Sequence, residues 1–170
     1  TYFARFRIYP EAPLLEAPNG QALSPLFAPT EGEVEDYRWT LNVTRAVLPL
    51  MLEARAGSII NVASLIGIGG FYPGIAVSSV AYAATKAAII GLTKATASYY
   101  AEDNIRINVI APALVETPMS RRAVGNDEIM RFIATKQPLD GGRVGMPEDV
   151  DGAALFLLSQ GLQRCDDAYI

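Results

Sequence analysis

The stretch AYAATKAAIIGLTKA, residues 81–95, places Tyr82 and Lys86 four residues apart. On a helix that spacing stacks two side chains on one face. A free phenol releases its proton only near pH ~10. A cation a few Å away stabilises the phenolate, so such a pair can donate a proton to a carbonyl oxygen or take one from an alcohol. The same spacing also describes an ordinary solvated helix face, worth about 0.2–0.5 kcal/mol.

Two further polar residues stand where they can join that chemistry. Ser64 closes the short β-branched run SIINVAS (58–64). The C-terminal end of a parallel strand is where open α/β sheets place their ligand crevice. A hydroxyl there can hydrogen-bond a substrate oxygen, and it can equally cap a loop. Asn42 lies inside VEDYRWTLNVTRAVLPLMLEAR (34–55), whose apolar residues recur with helical spacing. Asparagine is a poor helix former, and its amide can bind a water or a backbone carbonyl.

Composition narrows the chemistry. The 170-residue chain has no histidine and one cysteine, Cys165. Ser-His-Asp triads, Cys-His dyads and histidine metal sites are excluded, and no metal site is expected. The acid or base must come from Tyr, Lys, Asp, Glu or Cys. A single thiol forms no internal disulfide and fits a reducing compartment, so a cytoplasmic location is expected. Hydrophobic residues at 51% and charged residues at 19% suit a packed globular domain. A net charge of -4 argues against nucleic acid or an anionic membrane as partner. No apolar run approaches the ~20 residues of a membrane-crossing helix, and the N-terminus lacks a signal-peptide pattern.

The elements that would position these residues alternate in type. Residues 1–36 are punctuated by Pro10, Pro13, Pro18, Pro25 and Pro29 and read as an irregular arm, with TYFARFRIY a candidate strand. The domain proper is placed at 37–170. The helix carrying Asn42 is expected to kink at Pro49 and end at Gly57. The strand 58–64 leads into a glycine-rich loop, then a helix over about 79–102. IRINVIAP (105–112) reads as a second buried strand. A loop with helical segments covers 113–136, QPLDGGRVG is a turn region, and MPEDV opens a last helix. The tail to Ile170 is expected to enter a further strand. Strands alternating with helices imply an α/β fold with a parallel sheet. No repeat or low-complexity tract interrupts it.

Taken in order, WTLNVTRAVLPLML, GSIINVASLIG, YAATKAAIIGLTKA, IRINVIAPALVETPM and GRVGMPEDVDGAALFLLS resemble the short-chain dehydrogenase/reductase family from about Trp39 to Ser159. The resemblance implies a partial Rossmann-like, doubly wound sheet that lacks the first, phosphate-binding strands. It carries Asn42, Ser64, Tyr82 and Lys86 onto the family's catalytic tetrad. There tyrosine is the acid/base and serine orients the substrate oxygen. Lysine lowers the tyrosine pKa and holds the nicotinamide ribose, while asparagine supports a proton-relaying water. Pro112, Val115 and Thr117 fall on the loop that lies against the nicotinamide. The implied cofactor is NAD or NADP, the substrate a small ketone or secondary alcohol, and the assembly a homo-oligomer through helices around 37–54 and 79–102.

The sequence departs from the family in several places. No strand–glycine turn–helix precedes Trp39 to cradle a pyrophosphate. GIGG at 67–70 follows the wrong strand for that role, and no ribose-binding acid can be assigned. Ala113 replaces the usual glycine after the loop proline. The interval from Ser64 to Tyr82 is longer than usual around FYPG, so Ser78 and Ser79 compete with Ser64. Either the sequence is a portion of a longer dehydrogenase, or it is a short protein without the nucleotide-binding half. In the second case residues 1–30 or a second subunit would cover the exposed sheet edge, and possession of any cofactor is open. Two other functions stay open. One is a cofactor-independent hydrolase (esterase or lactonase) or lyase using Ser64, Tyr82 and Lys86. The other is a non-catalytic remnant that pairs with other subunits.

Overall fold

A computed structural model describes residues 33–69 and 80–159 of the chain. Most of the expected N-terminal arm, Ser78, Ser79 and the tail expected to enter a last strand lie outside the described residues. Helix α1 (Glu33–Ala54) leads to strand β1 (Gly57–Val62) and a one-turn helix α2 (Ile66–Gly69). The long helix α3 (Val80–Tyr100) precedes strand β2 (Ile105–Ile110), and α4 (Arg121–Val124), α5 (Asp127–Lys136) and α6 (Glu148–Leu158) follow. The two strands run parallel, with Gly57 opposite Ile105 and Val62 opposite Ile110.

The alternation of strand side chains builds a three-layer arrangement. Ile105 and Ile107 of β2 point to one face, where they bury against Leu48 of α1 with Ala97 and Tyr100 of α3. Val109 packs on the same face with Ile89 of α3 and Ala63. Ile110 points the other way and buries with Leu157 of α6, beside Ile60, Val150 and Ala153. Helices on both faces explain why both strands read as near-continuous apolar runs. The buried Asn61 of β1 is accommodated by α3: its amide donates to Thr93 Oγ1 at 2.8 Å, and that hydroxyl donates to the Ile89 carbonyl at 2.8 Å. Arg106 reaches past the sheet and donates to the Leu157 carbonyl at 2.7 Å, closing the last turn of α6.

Several boundaries differ from the sequence reading. Helix α1 begins at Glu33, one residue before the start read from the sequence, and includes Pro49. It ends at Ala54, with Arg55 in the left-handed region at φ 49. Gly57 is instead the first residue of β1, where a Cβ would run into the Met51 side chain. The first part of the expected glycine-rich loop is the α2 turn. Asn104, at φ 60, reverses the chain between the end of the α3 region and β2. Among the described residues no helix is long and apolar enough to cross a membrane.

Candidate active site

The C-terminal ends of β1 and β2 lie side by side, as parallel pairing requires. The chain beyond β1 carries Ala63 and Ser64; the chain beyond β2 carries Ala111 and Pro112. The two segments are tied together, since Ala63 N–H donates to the Ile110 carbonyl at 2.8 Å and Leu65 N–H to the Pro112 carbonyl at 2.9 Å. Ser64 is buried, and its Oγ accepts the Ile66 N–H at 3.3 Å at the start of α2. The α2 turn in turn rests on α3: a Cβ added to Gly67 would come within 2.7 Å of the Lys86 carbonyl carbon. Glycine here permits the backbones to meet.

On α3, Tyr82 is half-buried and Lys86 is buried. The Lys86 ammonium stands 5.4 Å from the centroid of the Tyr82 ring, within the range of cation–π attraction. It donates to the carbonyl of Val62, the last residue of β1, at 3.3 Å. A lysine on a helix is therefore drawn in to the mouth of the sheet, two residues before Ser64. A buried ammonium also requires a counter-charge, and Asp36 of α1 supplies it, with Oδ2 3.0 Å from Nζ.

The structure thus brings Ser64, Tyr82 and Lys86 to one end of the sheet. Asn42 is exposed on α1. Asp36 was not singled out in the sequence reading, which took Asn42 from its place in the helix and from the resemblance.

The loop after β2 is held by its own braces. Gln137 receives the Leu114 N–H at 3.1 Å and donates to the Leu114 carbonyl at 3.2 Å. Val115 bridges Gly145, and Glu116 N–H donates to the Gly145 carbonyl at 2.8 Å. Thr117 starts a tight turn in which its N–H donates to Ser120 Oγ at 2.9 Å and that hydroxyl donates back to the Thr117 carbonyl. Gly145 leads into the turn before α6, which Arg143 and Asp149 close. The guanidinium donates to both Asp149 oxygens, at 2.6 and 3.0 Å, and to Asp140 at 3.2 Å. Asp149 also accepts the Met146 N–H at 2.7 Å. These bonds, from Arg143 first and then Met146, lower the Asp149 pKa to about 2 and raise that of Arg143. An open cleft of about 560 Å³ lies between the Thr117 turn and the start of α6, lined among others by Glu116, Thr117, Arg121, Met146 and Glu148. Thr117 borders it, whereas Ser64, Tyr82 and Lys86 do not.

A nicotinamide ribose needs donors and acceptors for vicinal hydroxyls beside an apolar wall. Lys86 and Asp36 place a donor and an acceptor at the end of β1, and the loop carrying Pro112, Val115 and Thr117 follows β2.

The chain is similar to known proteins. A family model described as enoyl-(acyl carrier protein) reductase matches residues 37–165. The 3-oxoacyl-[acyl-carrier-protein] reductase FabG of Chlamydia trachomatis is 44% identical over 120 residues, covering 71% of this chain and 45% of the relative. A gluconate 5-dehydrogenase from Burkholderia cenocepacia, solved with NADP and tartrate, superposes with a TM-score of 0.71 at 30% identity, over 84% of this chain and 55% of that one. A 3-oxoacyl-[acyl-carrier protein] reductase from Brucella melitensis with bound NAD gives a TM-score of 0.62 at 33% identity, over 76% and 47%. The chain spans about half the length of the curated relatives it matches.

Proposed function

Because the chain belongs to the short-chain dehydrogenase/reductase family of oxidoreductases, we propose that it carries the proton-transfer residues of an NAD(P)-dependent interconversion of a ketone and a secondary alcohol. Tyr82 is the acid/base: its phenol gives a proton to the carbonyl oxygen in reduction and takes one from the alcohol in oxidation. The Ser64 hydroxyl donates a hydrogen bond to the same oxygen and fixes its position. When NAD(P) is bound, the Lys86 ammonium would hold the ribose, and Pro112, Val115 and Thr117 would line the nicotinamide. The cofactor supplies the hydride. Asn42, exposed on α1, completes the set as the residue that would support a proton-relaying water.

The observation that carries the reading is the Lys86 ammonium, buried at the end of β1 by the Val62 carbonyl and facing the Tyr82 ring at 5.4 Å. The named relatives above are reductases and dehydrogenases, which favours this reading over ester hydrolysis. Two of the three are 3-oxoacyl reductases, so a 3-oxoacyl thioester is the substrate to try first. Homo-oligomerisation through α1 and α3 is supported by exposed Trp39, Val43 and Leu50 on the one and by exposed Ala84, Ala88 and Gly91 on the other. The test is oxidation of NADH and NADPH with a 3-oxoacyl thioester. Tyr82→Phe should lower turnover by about a hundredfold or more, and unchanged turnover in that variant would overturn the assignment.

A further inference from the structure

We infer that Asp36 is a positioning residue, whose carboxylate holds the Lys86 ammonium at the mouth of the sheet; its consequence for turnover rests on the function proposed above. Lys86 is the charged side chain among the buried polar residues described, and its side chain is 10% exposed. A four-carbon stem with a solvated head has many rotamers. Two partners from different elements narrow them. The Val62 carbonyl, at 3.3 Å, fixes the ammonium against β1, and Asp36 Oδ2, at 3.0 Å, fixes it against α1. An ammonium has three donors, so two partners do not exhaust it.

The carbonyl alone offers a partial charge to a group whose removal from water is costly. Asp36 offers a full one, and its own side chain is 38% exposed, so the carboxylate keeps contact with water while the ammonium does not. The pair is thus asymmetric: the exposed partner compensates the buried one. Asp36 lies in the first turns of α1, and its carbonyl is further occupied by Thr40 Oγ1 at 2.8 Å. A carboxylate at a helix start is itself stabilised by the helix dipole. Without it, the Lys86 head gains by swinging outward to solvent, away from the Tyr82 ring.

The experiment observes the ammonium directly. The chain contains only three lysines, Lys86, Lys94 and Lys136, and the last two are exposed. In the 170-residue chain labelled with lysine 15Nζ, the protected ammonium signal is assigned to Lys86 by its loss in Lys86→Arg. Asp36→Ala and Asp36→Asn should broaden that signal into the solvent-exchanging pool, and Asp36→Glu should restore it. In the NAD(P)H assay kcat should fall about tenfold or more in the Ala and Asn variants, as for a misplaced catalytic group, with partial recovery in Asp36→Glu. A Lys86 signal unchanged in both Asp36→Ala and Asp36→Asn would overturn the inference. If the signal depends on Asp36 while the wild-type chain turns over no nicotinamide substrate, the positioning stands and the proposed reaction fails.

Discussion

Gly67 lies against the backbone of Lys86 so closely that a Cβ there would meet the Lys86 carbonyl carbon at 2.7 Å and the Ala87 nitrogen at 2.8 Å. The contact docks the turn after β1 onto α3. Ser64 and Lys86, far apart in sequence, are thereby held at one end of the sheet by backbone rather than by flexible side chains.

Gly67→Ala should accordingly separate the two. Neither atom it would strike is the end of a mobile side chain, so the α2 turn must move away from α3, taking Ser64 with it. The expected result is a loss of turnover of about a hundredfold, on the scale of a 1 Å misplacement. A crystal structure of the variant, with Ser64 Oγ displaced relative to Lys86 Nζ, is the direct check. Wild-type turnover would show that the docking does not position the site.

Asn61 and Thr93 test the seam between sheet and helix. Thr93→Val keeps the shape of the side chain and leaves the buried Asn61 amide without the acceptor it has at 2.8 Å. The variant should lose about 1–3 kcal/mol of stability, the cost of an unsatisfied buried group. Adding Asn61→Leu removes the orphaned amide and should recover part of the loss. Urea unfolding of the single and double variants measures both.

Asp149 gives a pH dependence with a defined sign. Its folded pKa of about 2 is depressed by Arg143 and the Met146 N–H, below an unfolded value of about 3.9. A depressed carboxylate contributes stability that is present above the unfolded value and is lost as pH falls through the folded one. The wild-type melting temperature should therefore drop between about pH 4 and pH 2, and Asp149→Asn should flatten that part of the profile. A wild-type and variant difference that does not change over this window would contradict the geometry around Arg143.

Much of this was legible in the sequence because the two strands are buried on both faces. SIINV and IRINVI read as strands from their branched apolar runs alone, and α3 from its alanine-rich spacing. The catalytic candidates Tyr82 and Lys86 follow from local helical spacing, and Ser64 from its place at a strand end. Asp36 does not, because its partner is fixed by how α1 crosses α3, a tertiary relationship with no local sign. The same limit explains Gly57. A glycine after a helix reads as its cap, but Arg55 takes the left-handed position and Gly57 is required by Met51, which folds back from the helix. Pro49, read as a kink signal, lies inside a helix that runs on to Ala54.

Gly91 separates the monomer from its proposed assembly. It sits in the middle of α3, exposed, with nothing within 4 Å of an added Cβ. Within one chain, Gly91→Ala therefore meets no steric cost and gains helix propensity, about 0.8–1 kcal/mol. Ala84 and Ala88 lie on the same exposed side of the helix, a surface of small residues on which a second α3 can approach closely. There the added methyl would fall between two backbones. The expected outcome has two parts: a higher urea midpoint at dilution where the chain is monomeric, and weaker self-association by sedimentation. A variant that is stabilised while associating as well as wild type would place any subunit contact elsewhere than on this face of α3.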